Sequence, residues 1–493
     1  MQIINISPVT VMNVSVVSAK PSHEVLFKCG FLRDWAMRSL VIGLGFATAL
    51  TPIAARAQEM KGVIRDAEVE NLLRDYARPI FSAAGVGATN TTIILMGDRS
   101  FNAFVAGDRR MFINTGAIMD AKTPNEIIGV IAHESGHIKG GHLSRLHQQL
   151  ATAQILSVVG MLLGAGAAVG AASSGGRNGN SGQVGANSSG LAGMVLGPQE
   201  IVRRSLLSYQ RSEEQAADRS AVDFLNATHQ SPKGLLDTFQ RFSQESMFRT
   251  SGIDPYTFSH PLPTERIANL EALAAKSPYL NVKDSPALQA RHDMARAKLF
   301  GFMATTSEVG RRYPVSDNSL PARYARAIVD YRTKRISEAL TKIDGLIREQ
   351  PQNPYFWELR GQCLLEFGRP KEAISDLRKA VSLAPSAGLI RILLGHALVA
   401  SENPANLDEA ISELTNAVQR EPDSPDGYRH LATAYGRKGQ IGQAELNSAR
   451  AYFYAGDYSA AANHASRAKD QLTPNTPAWF KADEILNYRP PKT

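Results

Sequence analysis

Apolar residues recur at helical spacing from Gly62 to Ala83 (Val63, Val69, Leu72, Leu73, Tyr76, Ile80), a pattern that predicts an amphipathic helix. The period then changes. TTIILMG (91–97), FNAFVAG (101–107) and RMFINTG (110–116) are short β-branched and aromatic runs bounded by Gly and Asp, and they predict three strands, the last two a hairpin turned at Gly107-Asp108. Thr123-Pro124-Asn125-Glu126 supplies a helix start: a Thr cap, Pro at the first helical position and Glu three residues after the cap. The helix it opens ends at Gly140-Gly141. Further on, ILSVVGMLLGAGAAVGAA (155–172) is an apolar run followed by a Gly/Ser/Asn tract (173–190). Eighteen apolar residues can span a bilayer, but beyond Gly164 the run is mostly Gly and Ala. Two readings stand: a hydrophobic hairpin near the site that touches substrate or the membrane periphery, and a plain buried or disordered surface loop.

From Pro321 onward a longer period takes over. Pro351 and Pro385 are 34 residues apart, as are Ala339 and Ala373. Trp357, Gly361, Leu364, Ala373, Leu377, Ala380 and Pro385 fall at the offsets of a tetratricopeptide repeat. A second unit has Gly395, Ala410, Ala417 and Pro422, with three extra residues in its turn (SENPANLDEA); a third has Tyr428, Leu431, Ala432, Tyr435 and Ala444; a degenerate one follows around Tyr452, Gly456, Ala461 and Ala468. Small residues where backbones meet and large ones between them predict stacked helix pairs, an α-solenoid whose concave face binds peptide-like partners.

A chain of 493 residues is too long for one core and predicts two or three units. Its first 57 residues read as an address. Arg33 and Arg38 precede the apolar SLVIGLGFATAL (39–50), and Ala55-Arg56-Ala57 forms a small-x-small cleavage site before Gln58. A start at Met37 would give an export signal of conventional length; the run is short for an uncleaved anchor. Those residues hold five Lys/Arg against Glu24 and Asp34, so they supply +3 of the formal +8 and leave about +5 for a mature chain. With no dense basic stripe or RNA-binding motif, nucleic acid is excluded as the expected partner. Cys29 falls in the signal and Cys363 is then alone, so no internal disulfide is expected and stability rests on packing and metal.

The chemistry concentrates in HESGH (133–137). On a helix, His133 and His137 lie one turn apart on one face and can converge on one ion. Zinc suits two imidazoles and a carboxylate with a fourth position open to water. It lowers the pKa of water held there, and Glu134 is placed to take the proton as a peptide carbonyl is attacked. A metzincin needs histidine ten residues after the first; that position is Leu143, and His142 is one short. A carboxylate from SEEQAADRSAVDFL (212–225) is the alternative third ligand. Glu214 and Asp218 are four apart, so one could ligate while the other orients a ligand imidazole, though spacing alone does not select Glu214 over Glu213. His142 and His147 read as neighbours of the site or surface residues rather than ligands.

NAF and FINTGAI, HESGH, Glu214-Gln215-Ala216-Ala217-Asp218 and HPLPTER (260–266) occur in the order seen in the zinc peptidase family that includes HtpX and the CAAX prenyl peptidases. With a signal in front and repeats behind, the chain resembles that family's BepA-like members. The resemblance implies Glu214 as third zinc ligand, Asp218 as its supporting carboxylate, Arg266 beside the site, and Asn102, Ala103 and Phe104 on an edge strand that pairs with extended substrate. It also implies that His260 can occupy the fourth zinc position and hold the enzyme shut; a structural loop histidine is the plain alternative.

The expectation is thus a mainly α protein: a zincin-like α+β metallopeptidase domain with a small β-sheet (58–275), a helical linker (276–320) and an α-solenoid of tetratricopeptide repeats (321–486), with cleavage after Ala57. By resemblance it is a periplasmic endopeptidase with one Zn2+ per chain, acting on unfolded or misassembled envelope proteins, its repeats meeting substrate or outer-membrane assembly machinery. The rival is a chaperone-like scaffold with a latent site.

Overall fold

The computed structural model describes residues 2–4, 62–87, 91–106, 109–142, 144–145, 210–248, 260 and 264–490. The cleavage site, the apolar run at 155–172, the Gly/Ser/Asn tract and His147 lie outside the described residues. Among the described residues no helix is long and apolar enough to cross a membrane.

A five-stranded sheet opens the fold, in the order β1-β2-β3-β5-β4. Its first strand, β1 (Gln2–Ile4), falls within the segment read as an address and pairs antiparallel with β2 (Val63–Arg65). The periodicity had placed residues 62–66 on a helix. Helix α1 instead runs Ala67–Ala84, because the Asp66 carboxylate accepts the backbone N–H groups of Glu68 (3.1 Å) and Val69 (3.0 Å) and so fixes its start. β3 (Thr92–Met96) runs parallel to β5 (Arg110–Asn114), and β4 (Ala103–Ala106) pairs antiparallel with β5, setting Phe104 opposite Phe112. The expected hairpin is present, its turn residues lying outside the described ones, and it leaves β4 at the sheet's edge. β5 stops at Asn114 rather than Gly116, and a short helix α2 (Thr115–Asp120) follows at once. Gly116 packs on the backbone of Arg99, whose carbonyl oxygen would lie 2.2 Å from any Cβ there.

Helix α3 (Pro124–Gly140) carries HESGH and ends as expected, with Gly141 left-handed at φ 64°. Its start differs in detail: Thr123 is the cap by position but makes no side-chain bond. Glu126 accepts from the Lys122 N–H (3.0 Å) and Asp284 from the Asn125 N–H (2.9 Å), so carboxylates fill the role. α3 is sandwiched between α1, helix α4 (210–227) and α5 (Lys233–Phe248) in a core of Leu72, Leu73, Val130, Ile131, Phe224, Leu225, Leu235 and Phe239. α6 (Thr264–Ala274), α7 (Pro286–Met303) and α8 (Thr306–Arg312) lead out of this domain.

Five helix pairs then stack: α9 (Leu320–Arg332) with α10 (Ile336–Glu349), α11 (Pro354–Glu366) with α12 (Pro370–Leu383), α13 (Gly388–Ala400) with α14 (Leu407–Arg420), α15 (Pro425–Arg437) with α16 (Ile441–Tyr454), and α17 (Tyr458–Gln471) with α18 (Pro477–Asn487). The repeat spacing follows from packing. Leu377 lies where a Cβ on Gly361 would be (2.5 Å), and Leu414 stands in the same relation to Gly395 (2.3 Å) across the longer turn.

The solenoid curls back onto the start of the sheet domain. Arg65 of β2 pairs with Glu70 of α1 (2.8 Å) and with Glu421 just after α14. Beside it, buried Lys298 of α7 faces Asp66 (2.9 Å), Glu68 (3.4 Å) and Glu358 of α11 (3.5 Å), while the Tyr324 hydroxyl of α9 donates to Glu68 (3.0 Å). Burial, with Asp66 and Glu358 adding to it, pushes the Glu68 carboxyl up to about 7, against the opposing pull of Lys298 and Tyr324. The folded value thus lies above the ordinary 4.5, so stability from this group is full below about pH 4.5 and is lost as pH rises through about 7. Asp66, drawn below 3.8 by Lys298 despite its burial, acts oppositely and only in more acid solution; Glu358, raised by burial, acts with Glu68. The midpoint of thermal unfolding is therefore expected to fall between pH 5 and 8, with a shallower fall in Glu68→Gln. An equal slope in that variant would remove Glu68 as the cause.

Candidate metal centre

HESGH places its two histidines on the face of α3 that meets α4. The approach is close because of the motif's fourth residue: a Cβ on Gly136 would lie 2.9 Å from the Ala217 backbone. That contact carries the α4 carboxylates to the histidines. Nε2 of His133 and Nε2 of His137 are 3.1 Å apart, and Glu214 completes the triangle with Oε2 3.4 Å from His133 Nε2 and Oε1 3.5 Å from His137 Nε2. His260 joins them, so that one donor atom from each of His133, His137, Glu214 and His260 lies within 4.8 Å of the others. Among the described residues no other such group of donors occurs. The structure therefore distinguishes the two adjacent glutamates that spacing left equal.

The supports of this set are buried charges. Arg266 of α6, 2 % exposed, grips Asp218 with two bonds (Nε to Oδ2 2.6 Å, Nη2 to Oδ1 2.8 Å) and reaches Glu214 Oε2 with Nη1 at 2.7 Å. Its guanidinium lies over the Phe239 ring, 4.8 Å from the centroid, and the same ring meets His133 edge-on. Asp218 Oδ1 is 3.0 Å from His133 Nδ1, which leaves Nε2 to face the cluster. The pair four residues apart on α4 divides in space: Glu214 lies among the donors and Asp218 lies behind His133. Phe239 was invisible to sequence reasoning, since an aromatic in an amphipathic helix carries no mark of what it covers.

Electrostatics follow from this crowding. Burial alone would raise Glu214, but His260, His133 and Arg266 hold its carboxyl well below the usual range. Asp218 is likewise held down, against burial, by Arg266. Burial and the neighbouring imidazoles keep His137 well below its ordinary value, hence neutral with a lone pair to offer. His133 is pushed up to about 9, where hydrogen bonding to Asp218 and Glu214 outweighs burial. Glu134 is fully buried and raised by that burial. Among the described residues its two oxygens have no hydrogen-bond partner, although His260 Nε2 lies 3.4 Å from Oε1. A buried carboxylate without such bonds is uncommon in folded proteins, and this one stands beside four converging donors that could hold a metal ion.

β4 runs past α3 at the sheet edge. Ala103 is buried in it and Phe104 stacks on Phe112 at 5.1 Å, but Asn102 precedes the strand, its carbonyl accepting the Asn114 N–H at 2.9 Å.

Residues 64–274 match the profile of peptidase family M48, and residues 324–388 match a tetratricopeptide repeat profile. The first segment is an M48 peptidase domain. Peptidases of family M48 are metal-dependent, and the donor set described above lies within the matched segment. The chain is 24% identical to the beta-barrel assembly-enhancing protease of Yersinia pestis across 356 residues, covering 70% of this chain and 68% of that protein. It is 21% identical to the protein of that name from Escherichia coli (strain K12) across 421 residues, covering 83% and 80%. Among solved structures, YrrB, described as a TPR protein with an unusual peptide-binding site, covers 36% of this chain and 91% of its own at 21% identity and a TM-score of 0.30.

Proposed function

We propose that the M48 domain is a zinc endopeptidase that hydrolyses peptide bonds of misfolded or misassembled envelope proteins in the periplasm, after export and removal of residues 1–57. The observation that carries it is the donor triangle. Bonds of ~2.0–2.1 Å to a tetrahedral zinc require ligand atoms ~3.3–3.4 Å apart; the two imidazole nitrogens are 3.1 Å apart, and the Glu214 carboxylate approaches them with one oxygen each, Oε2 at 3.4 Å from His133 and Oε1 at 3.5 Å from His137. Zinc held there would act as a Lewis acid and acidify a water molecule. The chain's own residues supply the rest. Glu134, raised by burial and without hydrogen bonds among the described residues, takes the proton of the attacking water at a carboxylate oxygen and passes it to the leaving amine. Arg266 and Asp218 keep Glu214 and His133 in place. The β4 edge receives substrate as an added strand, which selects extended, hence unfolded, segments.

The relatives are named for assembly of beta-barrels, and on our reading that sets this chain at the outer membrane, with the repeats holding substrate or assembly machinery. One observation favours a second reading, a scaffold with a latent site: His260 stands against both Glu134 (3.4 Å) and Glu214 (3.1 Å). The test is made on protein from a periplasmic extract whose N-terminus is sequenced. The expected result is a chain beginning at Gln58 with about one zinc, whose degradation of unfolded casein stops with a chelator and returns with zinc. Activity in metal-free protein would end this reading.

A further inference from the structure

The two glycines that end α3 do more than stop it. Gly141, left-handed, turns the chain so that His142 folds back beneath the helix's last turn. Gly140 makes room for it: a Cβ there would lie 2.1 Å from His142 Nε2. The ring so placed is 7 % exposed and stands nearly perpendicular to His137 (87°), with His142 Nδ1 2.9 Å from His137 Nδ1. On its far side His142 Nε2 meets Glu213 Oε2 at 2.5 Å, and Arg145 Nη2 donates to the same oxygen at 2.9 Å.

We infer that His142 is a positioning residue for the metal ligand His137, the middle of a relay Arg145–Glu213–His142–His137 that fixes which ring nitrogen of His137 faces the ion. The inference rests on the zinc reading above. The reasoning is a matter of proton placement. His137 Nε2 faces His133 and Glu214 and must present a lone pair, so the proton of its neutral ring is on Nδ1. That N–H needs an acceptor, and His142 Nδ1 is the atom opposite it. His142, accepting at Nδ1, carries its own proton on Nε2 and donates it to Glu213, whose charge Arg145 balances. Only one direction of donation satisfies every atom in the chain. His133 is served in parallel by Asp218 and Arg266, so each histidine of HESGH has its own carboxylate and its own arginine. This gives a role to Glu213, the glutamate that is not a ligand.

The experiment measures zinc affinity by competition with a chromophoric chelator, and the visible spectrum of the cobalt-substituted protein, for the full chain and four variants. His142→Ala and Gly140→Ala are expected to weaken zinc binding ~10–100-fold, the range for loss of a group behind a metal-binding histidine. His142→Asn, whose Oδ1 stands where Nδ1 stood and can accept the same N–H, is expected to recover most of the affinity. Glu213→Gln, at a half-buried position, is expected to fall between. The cobalt spectrum should change in His142→Ala and return in His142→Asn. Unchanged affinity in His142→Ala, with wild type binding one zinc, overturns the relay and leaves the peptidase reading standing. Equal losses in all four variants, together with lowered melting of the metal-free protein, assign His142 to folding and overturn it as well. Wild type that binds no zinc ends the peptidase reading and this inference with it.

Discussion

Glu134→Gln is expected to lower casein degradation by a factor of about 10²–10⁴, the range for removal of a general base, while the zinc content that the proposed function requires is unchanged. The two halves come from different atoms. Glu134 contributes no donor to the cluster of His133, His137, Glu214 and His260, so the metal should stay. Its oxygens make no hydrogen bonds among the described residues, so an amide of the same shape breaks none of those and the fold should be indifferent. What the amide cannot do is accept a proton. Zinc content and thermal unfolding equal to wild type, with activity lost, is thus the expected set. Retained activity would remove Glu134 from the mechanism; lost zinc would mean that it helps hold the ion.

The limits of sequence reading fall along the distance between partners. HESGH, the proline at the start of α3 and the glycines at its end are local signals, and they gave a helix with the right ends. The repeat offsets were legible because the same close contact recurs, Gly361 on Leu377 and Gly395 on Leu414. β2 was missed because three residues are too few to establish a period, and Val63 fits a helical face as well as a strand. α2 was missed because Thr115-Gly116 looks like the end of a strand until the backbone of Arg99 is placed against it. Glu213 and Glu214 are neighbours in sequence, yet one α-helical step of ~100° sends them to different partners. Only the tertiary approach of α3 to α4 separates them. The Lys298 cluster was out of reach altogether, since Asp66, Glu68, Lys298, Tyr324 and Glu358 come together from distant parts of the chain.

His260→Ala is expected to raise casein degradation on the order of tenfold and to bring on self-cleavage, because it removes the residue that makes a catalytic centre resemble a closed one. A structural zinc site has four protein ligands; a catalytic one keeps a position for water. With His260 counted, this chain presents four donors. The imidazole also stands in the way of the base, Nε2 3.4 Å from Glu134 Oε1, and Nδ1 meets Glu214 Oε1 at 3.1 Å. Removing it costs Glu214 one of its counter-charges, but Arg266 remains at 2.7 Å and keeps the carboxylate ionised. His133, His137 and Glu214 would then still be the residues that hold the proposed zinc, with a fourth position left open for water. A tenfold rise corresponds to ~1.4 kcal/mol between shut and open arrangements, a gap of the size that differential ligand binding to two states covers. Activity unchanged or lowered in His260→Ala, with zinc still bound, would make His260 a structural residue of its loop and leave the latency without a cause.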